Sequence, residues 1–576
     1  MIISDNFVSD FYKKICCKNI RIFVNDSVDG ICALKIFTVI VTILFPLINI
    51  VQALLSSDSV SFTFVAVHSW SNLVEQMEST TEEGAALLLI NCGGNRSLRD
   101  IKVPDDTIIY VLDSRRVIHL ENVHNSSNIS VLIPSQELPL LNLPAGDTIF
   151  RTDDYNEGSD SDGSADAYSS TRNTRHDIWE NNKKQILSRY YEYSWFSPAS
   201  SIFMIELAQS LSKARVEFLW CAVVALSAQF IDKEIGKELY IITCAERLAT
   251  LIQKYCCDKN NLDRADGKMR LTFDIDLMLP LYRHWSFYES MANSERYIAK
   301  AKLHTQAGEH NMKDILRNLE ILLDDAHNDY HKLPNDVKKD VLTKLVVDQG
   351  TKYHGFTAHY GSFFKYNSCD FARILSDLYG HGSAKSTLTD RLIKAYGLLS
   401  NFIEDTSGQK GVPFAIANYK VSLEKVTELA YNYLNTANFF CMGNYCMIKP
   451  YTSLDLSILQ SPHFFSAYAG IIKRCYSSSK KNKNRMRFPI IFEMPCKDSL
   501  VDFAKIVGHM PVVAQPNDDG TLLNIMSTCF ENVISAQPNI QYKQESFDRN
   551  VIYINLNHRH TFYSAVEVFL EKIKTR

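Results

Sequence analysis

Glycine and proline are scarce in this 576-residue chain, at 22 and 16 residues, well under the ~12% combined usage of an average protein. Their scarcity excludes a repetitive fibre and wholesale disorder, and favours a helix-rich globular protein. A dominant sign of charge is missing too: 61 Lys and Arg face 65 Asp and Glu, a net charge of −4. That balance excludes a protein whose main affinity comes from coating duplex DNA with basic side chains, while leaving room for a local nucleic-acid groove. The 14 cysteines include no CxxC pair, so zinc-ribbon and thioredoxin-type spacings are absent and reduced, mostly buried thiols are expected. No GxxxxGK[ST] phosphate loop occurs, which removes the usual device for ATP hydrolysis. The first residues carry Asp5 and Asp10 and no apolar h-region, so a secretory leader is not expected. No internal repeat is evident.

What is present is a change of pattern along the chain, whose length predicts about two to four domains. Ile20–Asn25, Ser61–Val67, Leu87–Asn91 and Thr107–Leu112 are short apolar runs separated by helical patterns, which predicts a buried, mainly parallel sheet in an α/β domain over residues 1–150. Thr152–Thr171 holds six acidic residues and no Lys or Arg, and reads as a solvated linker over 151–175. The SDSDG within it lacks the alternating ligands and terminal Glu of a calcium loop. Apolar residues at three- and four-residue spacing then predict helices over Ala199–Ala214, Val216–Ile231, Leu277–Ala301, Asn311–Leu323 and Thr387–Asn435. Asn328–Gly350 is strongly charged and reads as an exposed helical excursion. Short strands such as Pro489–Phe492 and Val551–Leu556 return near the end, predicting a smaller α/β domain over 386–576 after a helical part over 176–385.

One run stands apart. Ile36–Leu55 is nearly uncharged and about as long as a membrane span, yet contains Pro46, Asn49 and Gln52. A transmembrane helix, a buried helical region and an inserted or mis-spliced segment all fit it.

In open parallel sheets chemistry gathers at the C-terminal strand ends. Here those ends carry Asp26-Ser27-Val28-Asp29-Gly30, Asn91-Cys92-Gly93-Gly94 and Asp113-Ser114-Arg115-Arg116. Carboxylates at several strand ends are how a sheet holds two hard metal ions about 4 Å apart for phosphoester hydrolysis, and Asp26, Asp29 and Asp113 are part of such a set. The same acids would equally serve as caps of loops and helix N-termini.

This strand-end pattern resembles the DHH phosphoesterase superfamily, including the RecJ-type single-strand exonucleases. The resemblance places Asp26 to Gly30 at its DxDG-like first motif, Asn91 where an Asp ends the second, Asp113-Ser114-Arg115 at the Asp-His-His signature, and Ala228 at a later helical Asp. Asn91 removes a charge, Ala228 removes a ligand atom, Ser114 replaces an imidazole, and Arg115 places a permanent cation where metal or its water would sit. The pattern of loss is similar to the cell division control protein 45 family. The stretches carrying that likeness are Val8–Tyr12, Phe23–Ile36, Trp70, Leu89–Asn95, Ser200–Ile231 and Leu281–Lys302, with weaker similarity such as Phe356–Phe371 beyond. Deleting Thr38–Val51 restores the family spacing, which favours the inserted-segment reading of the apolar run.

The resemblance implies a RecJ/DHH-like mainly parallel sheet domain with a helical insertion, and a smaller C-terminal DHHA1-like α/β domain, although the usual glycine-rich motif of the latter is not found. It implies a nuclear, non-enzymatic subunit of the eukaryotic replicative helicase without cofactor or metal. The implied partners are the hexameric MCM ring, the GINS complex, loading factors and fork polymerases, with no membrane. Single-stranded DNA is the further partner suggested, with Arg115, Arg116, Lys473, Arg474, Lys480, Lys481, Lys483, Arg485 and Arg487 as candidate phosphate contacts and Tyr476 for base stacking. Trp285, Tyr288 and Arg296 are candidate interface anchors, or simply core. The competing reading is a metal-dependent single-strand exonuclease using Asp26, Asp29 and Asp113.

Overall fold

The computed structural model describes the chain except for residues 17, 43–61, 83, 125–127, 151–164, 257–268, 351–352, 361–363, 381–385, 405–410, 437–439, 451–454, 479–486, 497–499, 512–519 and 575–576. Seven strands occupy its first 150 residues: β1 (Ile2–Ile3), β2 (Ile20–Asn25), β3 (Phe62–Val67), β4 (Ala86–Ile90), β5 (Ile108–Leu112), β6 (Arg115–Arg116) and β7 (Ile129–Leu132). All except β6 form one sheet in the order β1-β7-β5-β4-β2-β3, and every pairing is parallel. The strands are continuous apolar runs because helices cover both faces: Ala86–Ile90 is fully buried along its length. The four strands expected from the sequence lie within a residue of their predicted ends.

Strand β2 sits between β3 and β4, so the winding direction reverses there and opens a crevice at the carboxyl ends of β2 and β4. Three buried helices back this part of the sheet. Val28–Thr42 packs with Ser200–Ser210 and Val216–Ile231 in one core with Trp220, Phe11 and Phe37 at its centre. The last of these helices has the predicted bounds. Within Val28–Thr42, the expected apolar run begins as core: Ile36, Ile40 and Val41 are buried, and Thr38 Oγ1 meets the Tyr396 hydroxyl at 2.9 Å. Residues 43–55 lie outside the described residues. Among those described, no helix is long and apolar enough to cross a membrane.

Three expectations need correction. The helical middle contains an antiparallel sheet of β9 (Arg270–Asp276), β10 (Tyr353–Tyr360) and β11 (Phe364–Asn367), after the two-residue β8 (Trp195–Phe196) that pairs with β6. Leu277–Ala301 is not one helix: residues 277–286 hold no helix beyond the short turn Tyr282–His284, and the helices Phe287–Ala292 and Glu295–Ala301 follow, the first capped by the Ser286 hydroxyl accepting from the Glu289 N–H. A helix, Ala165–Tyr190, begins inside the expected acidic linker, whose residues 151–164 lie outside the described residues. The charged excursion carries helix Asn335–Gln349, which buries Val341 and Leu345 and turns ion pairs such as Lys344–Asp340 to solvent.

The C-terminal sheet comprises β12 (Phe440–Met442), β13 (Tyr445–Ile448), β14 (Ile490–Pro495), β15 (Phe503–His509), β16 (Tyr542–Lys543) and β17 (Val551–Asn555), ordered β12-β13-β14-β15-β17-β16. Only β13 and β14 run parallel. Its segment leading into β17 reaches back to the first sheet: Trp70 N–H donates to Glu545 O at 2.8 Å, Asn95 Nδ2 to Phe547 O at 2.6 Å, and Arg96 to the carbonyls of Gln544 and Ser546.

Candidate functional site

The strand-end residues do converge, and Asp29, Asn91, Asp113 and Arg115 each have partners from the chain itself. Asp29, in the first turn of the helix after β2, accepts at Oδ1 from the Ser201 N–H (2.9 Å) and hydroxyl (2.6 Å). At Oδ2 it accepts from the Ser200 N–H (2.8 Å) and Asn91 Nδ2 (2.7 Å). One carboxylate thereby caps the free amides at the start of helix Ser200–Ser210, where the helix dipole favours negative charge.

Asn91 follows β4 with φ of 56°, a left-handed conformation that asparagine tolerates well. Its Nδ2 supplies Asp29 with the donor a metal would otherwise replace. Its Oδ1 accepts from the Ser114 N–H (3.1 Å) and from the hydroxyls of Ser114 (3.3 Å) and Ser200 (2.7 Å). Asp113, after β5, accepts from Gly94 N–H at 3.1 Å and from Arg115 N–H at 2.9 Å. A side chain at Gly94 would lie 2.8 Å from Asp113 Cβ, so the loop after β4 has to present glycine there.

Arg115 closes the crevice. Its Nε donates to Asp548 at 2.6 Å, its Nη1 donates to the Asn91 carbonyl at 2.8 Å, and Asp113 lies 3.7 Å away. Burial works to lower its pKa, but Asp548 and Asp113 outweigh burial and raise it. Arg116 is tied to Glu137 at 2.8 Å, which also binds Arg247 at 3.2 Å. Ala228 is buried in helix Val216–Ile231, and its neighbour Gln229 donates to the Ser197 carbonyl at 3.2 Å. The remaining space, bordered by Asn95, Arg115, Trp195 and Asp548, is a cavity of about 20 Å³, room for roughly one water. Among the described residues no group of three His, Cys, Asp or Glu is placed to hold a metal ion.

Asp26 differs from Asp29 and Asp113. Burial, opposed first by Arg115, raises its carboxyl to about 7. An acid raised above its unfolded value of ~3.9 loses stability as pH rises from about 4 through 7. Asp26→Asn should therefore be more stable than the parent by about 1–2 kcal/mol at pH 8, a figure reduced for partial solvent screening. The advantage should vanish near pH 4, as read from urea midpoints across pH.

The phosphate-binding candidates need correction. Arg115 and Arg116 are buried and bound to internal carboxylates and carbonyls, unlike the exposed cations a phosphate backbone would meet. Tyr476 is 3% exposed: in helix Pro462–Ser478 it falls on the core stripe with Ile472 and Cys475, and its hydroxyl meets Cys446 Sγ. Arg474 and Arg487 are exposed and Lys473 half-buried; Lys480, Lys481, Lys483 and Arg485 lie outside the described residues. Trp285 and Tyr288 are both half-buried, under Lys420 and against His327 respectively. The sequence reading missed Ser200, Ser201 and Asp548. Ser200 and Ser201 open their helix after an Ala199 N-cap that makes no side-chain bond, and neither they nor Asp548 belong to a motif that marks them.

Comparison with known proteins fits this geometry. A family model described as CDC45 matches residues 20–177 and 146–383. The human protein named Cell division control protein 45 homolog is 26% identical over 597 aligned residues, covering 98% of this chain and 99% of its own. The homolog of that name from Schizosaccharomyces pombe is 22% identical, covering 64% of this chain and 65% of its own. The crystal structure of CDC45 from Entamoeba histolytica superposes with a TM-score of 0.66 at 16% identity, covering 99% of this chain and all of that one.

Proposed function

The chain belongs to the cell division control protein 45 family of DNA replication factors, and on that premise we propose that it is a non-catalytic scaffold subunit of the eukaryotic replicative helicase. It works in the nucleus, where it joins the hexameric MCM motor to GINS. The observation that carries the non-catalytic part is the saturation of the strand-end crevice. Asp29 spends its oxygens on a helix cap, and Arg115 lies between Asp113 and Asp548. A metal ion entering there would have to displace a buried guanidinium and uncap a buried helix, each costly.

A subunit without chemistry acts through differential binding. If it prefers the closed motor ring to the open one, it shifts that equilibrium by the ratio of its two affinities. Purification of tagged protein from nuclease-treated nuclear extract, followed by native mass spectrometry, is expected to give one copy with six MCM and four GINS subunits. Recovery of the chain alone from replicating cells would count against the scaffold. Manganese-dependent cleavage of single strands, lost in Asp113→Ala, would establish the exonuclease instead.

Single-stranded DNA binding is the second activity proposed, supported by exposed Arg474 and Arg487 at the two ends of the basic stretch 473–487. Backbone charge would carry it, so affinity should fall steeply with salt. Arg474→Gln and Arg487→Gln should each reduce the slope of log K against log salt by about 0.7, measured by fluorescence anisotropy on an oligothymidylate. Unchanged slopes in both variants would place the DNA elsewhere.

A further inference from the structure

Away from the strand-end crevice, a cavity of about 350 Å³ opens where the end of helix Val216–Ile231 meets the start of Glu295–Ala301 and the flanks of Ser368–Gly380, Val412–Thr436 and Pro462–Ser478. That volume is in the range of small-ligand pockets. Four cations face it, Lys233, Arg296, Arg373 and Arg474, against two acids, Asp232 and Glu295. The acids are already engaged. Asp232 holds His463 Nδ1 at 2.6 Å, and Glu295 takes Lys233 at 2.6 Å with Arg474 at 3.8 Å. Arg373 is neutralised from behind by Asp370 at 2.9 Å.

Arg296 is the exception. It donates through Nη2 to the Asp348 carbonyl, its Nε is buried without a hydrogen-bond partner, and no carboxylate pairs with it among the described residues. A guanidinium at the cavity wall with no carboxylate of its own leaves its charge for an anion in the cavity to neutralise. Arg474 lies beyond with half of its side chain exposed. More cations than acids can satisfy thus surround one space. Apolar wall is supplied by Phe230, Met278 and Leu423.

We propose that this cavity is a binding site for a small organic phosphate, its anionic end on Arg296, Lys233 and Arg474 and its organic part on the apolar wall. Guanidinium forks suit phosphate oxygens in geometry and charge. The proposal stands independently of the helicase reading.

Calorimetric titration of the full chain with inorganic phosphate, pyrophosphate and AMP is the test. AMP is expected to bind saturably and more tightly than either inorganic anion. Arg296→Gln should weaken it roughly ten- to a hundred-fold, and Arg296→Lys, which keeps charge but not the fork, should fall between. Should Arg296→Gln not fold, the half-exposed Arg474→Gln carries the test with a several-fold loss. Tighter binding of the inorganic anions than of AMP would overturn the apolar half of the assignment. No saturable binding of any of the three at millimolar concentration, or equal binding by the variants, would each overturn the site.

Discussion

Asp29→Ala should cost about 3–5 kcal/mol of stability, the largest loss expected from any single truncation in the crevice. Three donors lose their acceptor together, the N–H groups of Ser200 and Ser201 and Asn91 Nδ2, while the Ser201 hydroxyl keeps only the Asp29 carbonyl at 3.0 Å. All of these belong to buried residues, so water does not readily replace the carboxylate. Helix Ser200–Ser210 also loses its cap, a change that alone costs about 0.5–2 kcal/mol. Asp29→Asn should be little better, because every group around the carboxylate donates and an amide NH₂ would face one of those donors. Amide exchange should show the effect locally, with Ser200 and Ser201 losing protection first, and urea midpoints should show it globally. A loss under about 1 kcal/mol in both variants would mean that the crevice does not organise the packing around it.

The contrast between Asp29 and Asp548 shows where sequence reading stops. Strand ends could be placed because β2, β4 and β5 are apolar runs bounded by polar turns, and parallel winding puts their ends on one side of the sheet. Asp26, Asp29, Asn91 and Asp113 were therefore legible as one cluster. Arg115 was legible as a cation within it, but its partner Asp548 lies 433 residues away, in a segment with no periodicity or motif of its own. The same limit explains the pairing of β9 with β10, which lie on either side of a helical stretch and meet only through tertiary context, whereas β10 and β11 are near neighbours in sequence. Tyr476 illustrates a subtler failure. Its basic neighbours suggested an exposed position, whereas the helical period over Pro462–Ser478 alternates exposed Arg474 with buried Cys475 and Tyr476. Charge density was misleading for this helix, where the side of the period decides which residues are buried.

The crevice can also be read as a substitution of fixed groups for ions. Two metals would bring positive charge to Asp29, Asn91 and Asp113. Here that role is divided among an amide donor, two helix-terminal N–H groups, serine hydroxyls and one guanidinium. These groups are covalently part of the chain, and their hydrogen bonds tie the strand ends to one another. The Gln544–Asp548 segment gains from the same arrangement, because Arg115 pins it and thereby fastens the C-terminal sheet to the first.

Asn91→Asp tests that substitution directly. Both residues tolerate the left-handed backbone at this position, so conformational strain changes little and the electrostatic effect stands alone. The Oδ1 side keeps its acceptors' role toward Ser114 and Ser200, while the donor to Asp29 becomes an oxygen 2.7 Å from another. Two carboxylates at that distance do not both stay ionised, and the variant should lose about 2–4 kcal/mol at pH 7. The new carboxyl would be raised above its unfolded value of ~3.9, so the native state takes up a proton that the unfolded chain does not. The deficit should therefore shrink as pH falls toward 4 and widen as it rises. Millimolar manganese should not repair it at neutral pH, because Asp29 remains capped to the helix and Arg115 remains between Asp113 and Asp548. Recovery of the urea midpoint with manganese, at an unchanged pH, would mean that one carboxylate is all that separates this crevice from a metal centre, and the exonuclease reading would regain its footing.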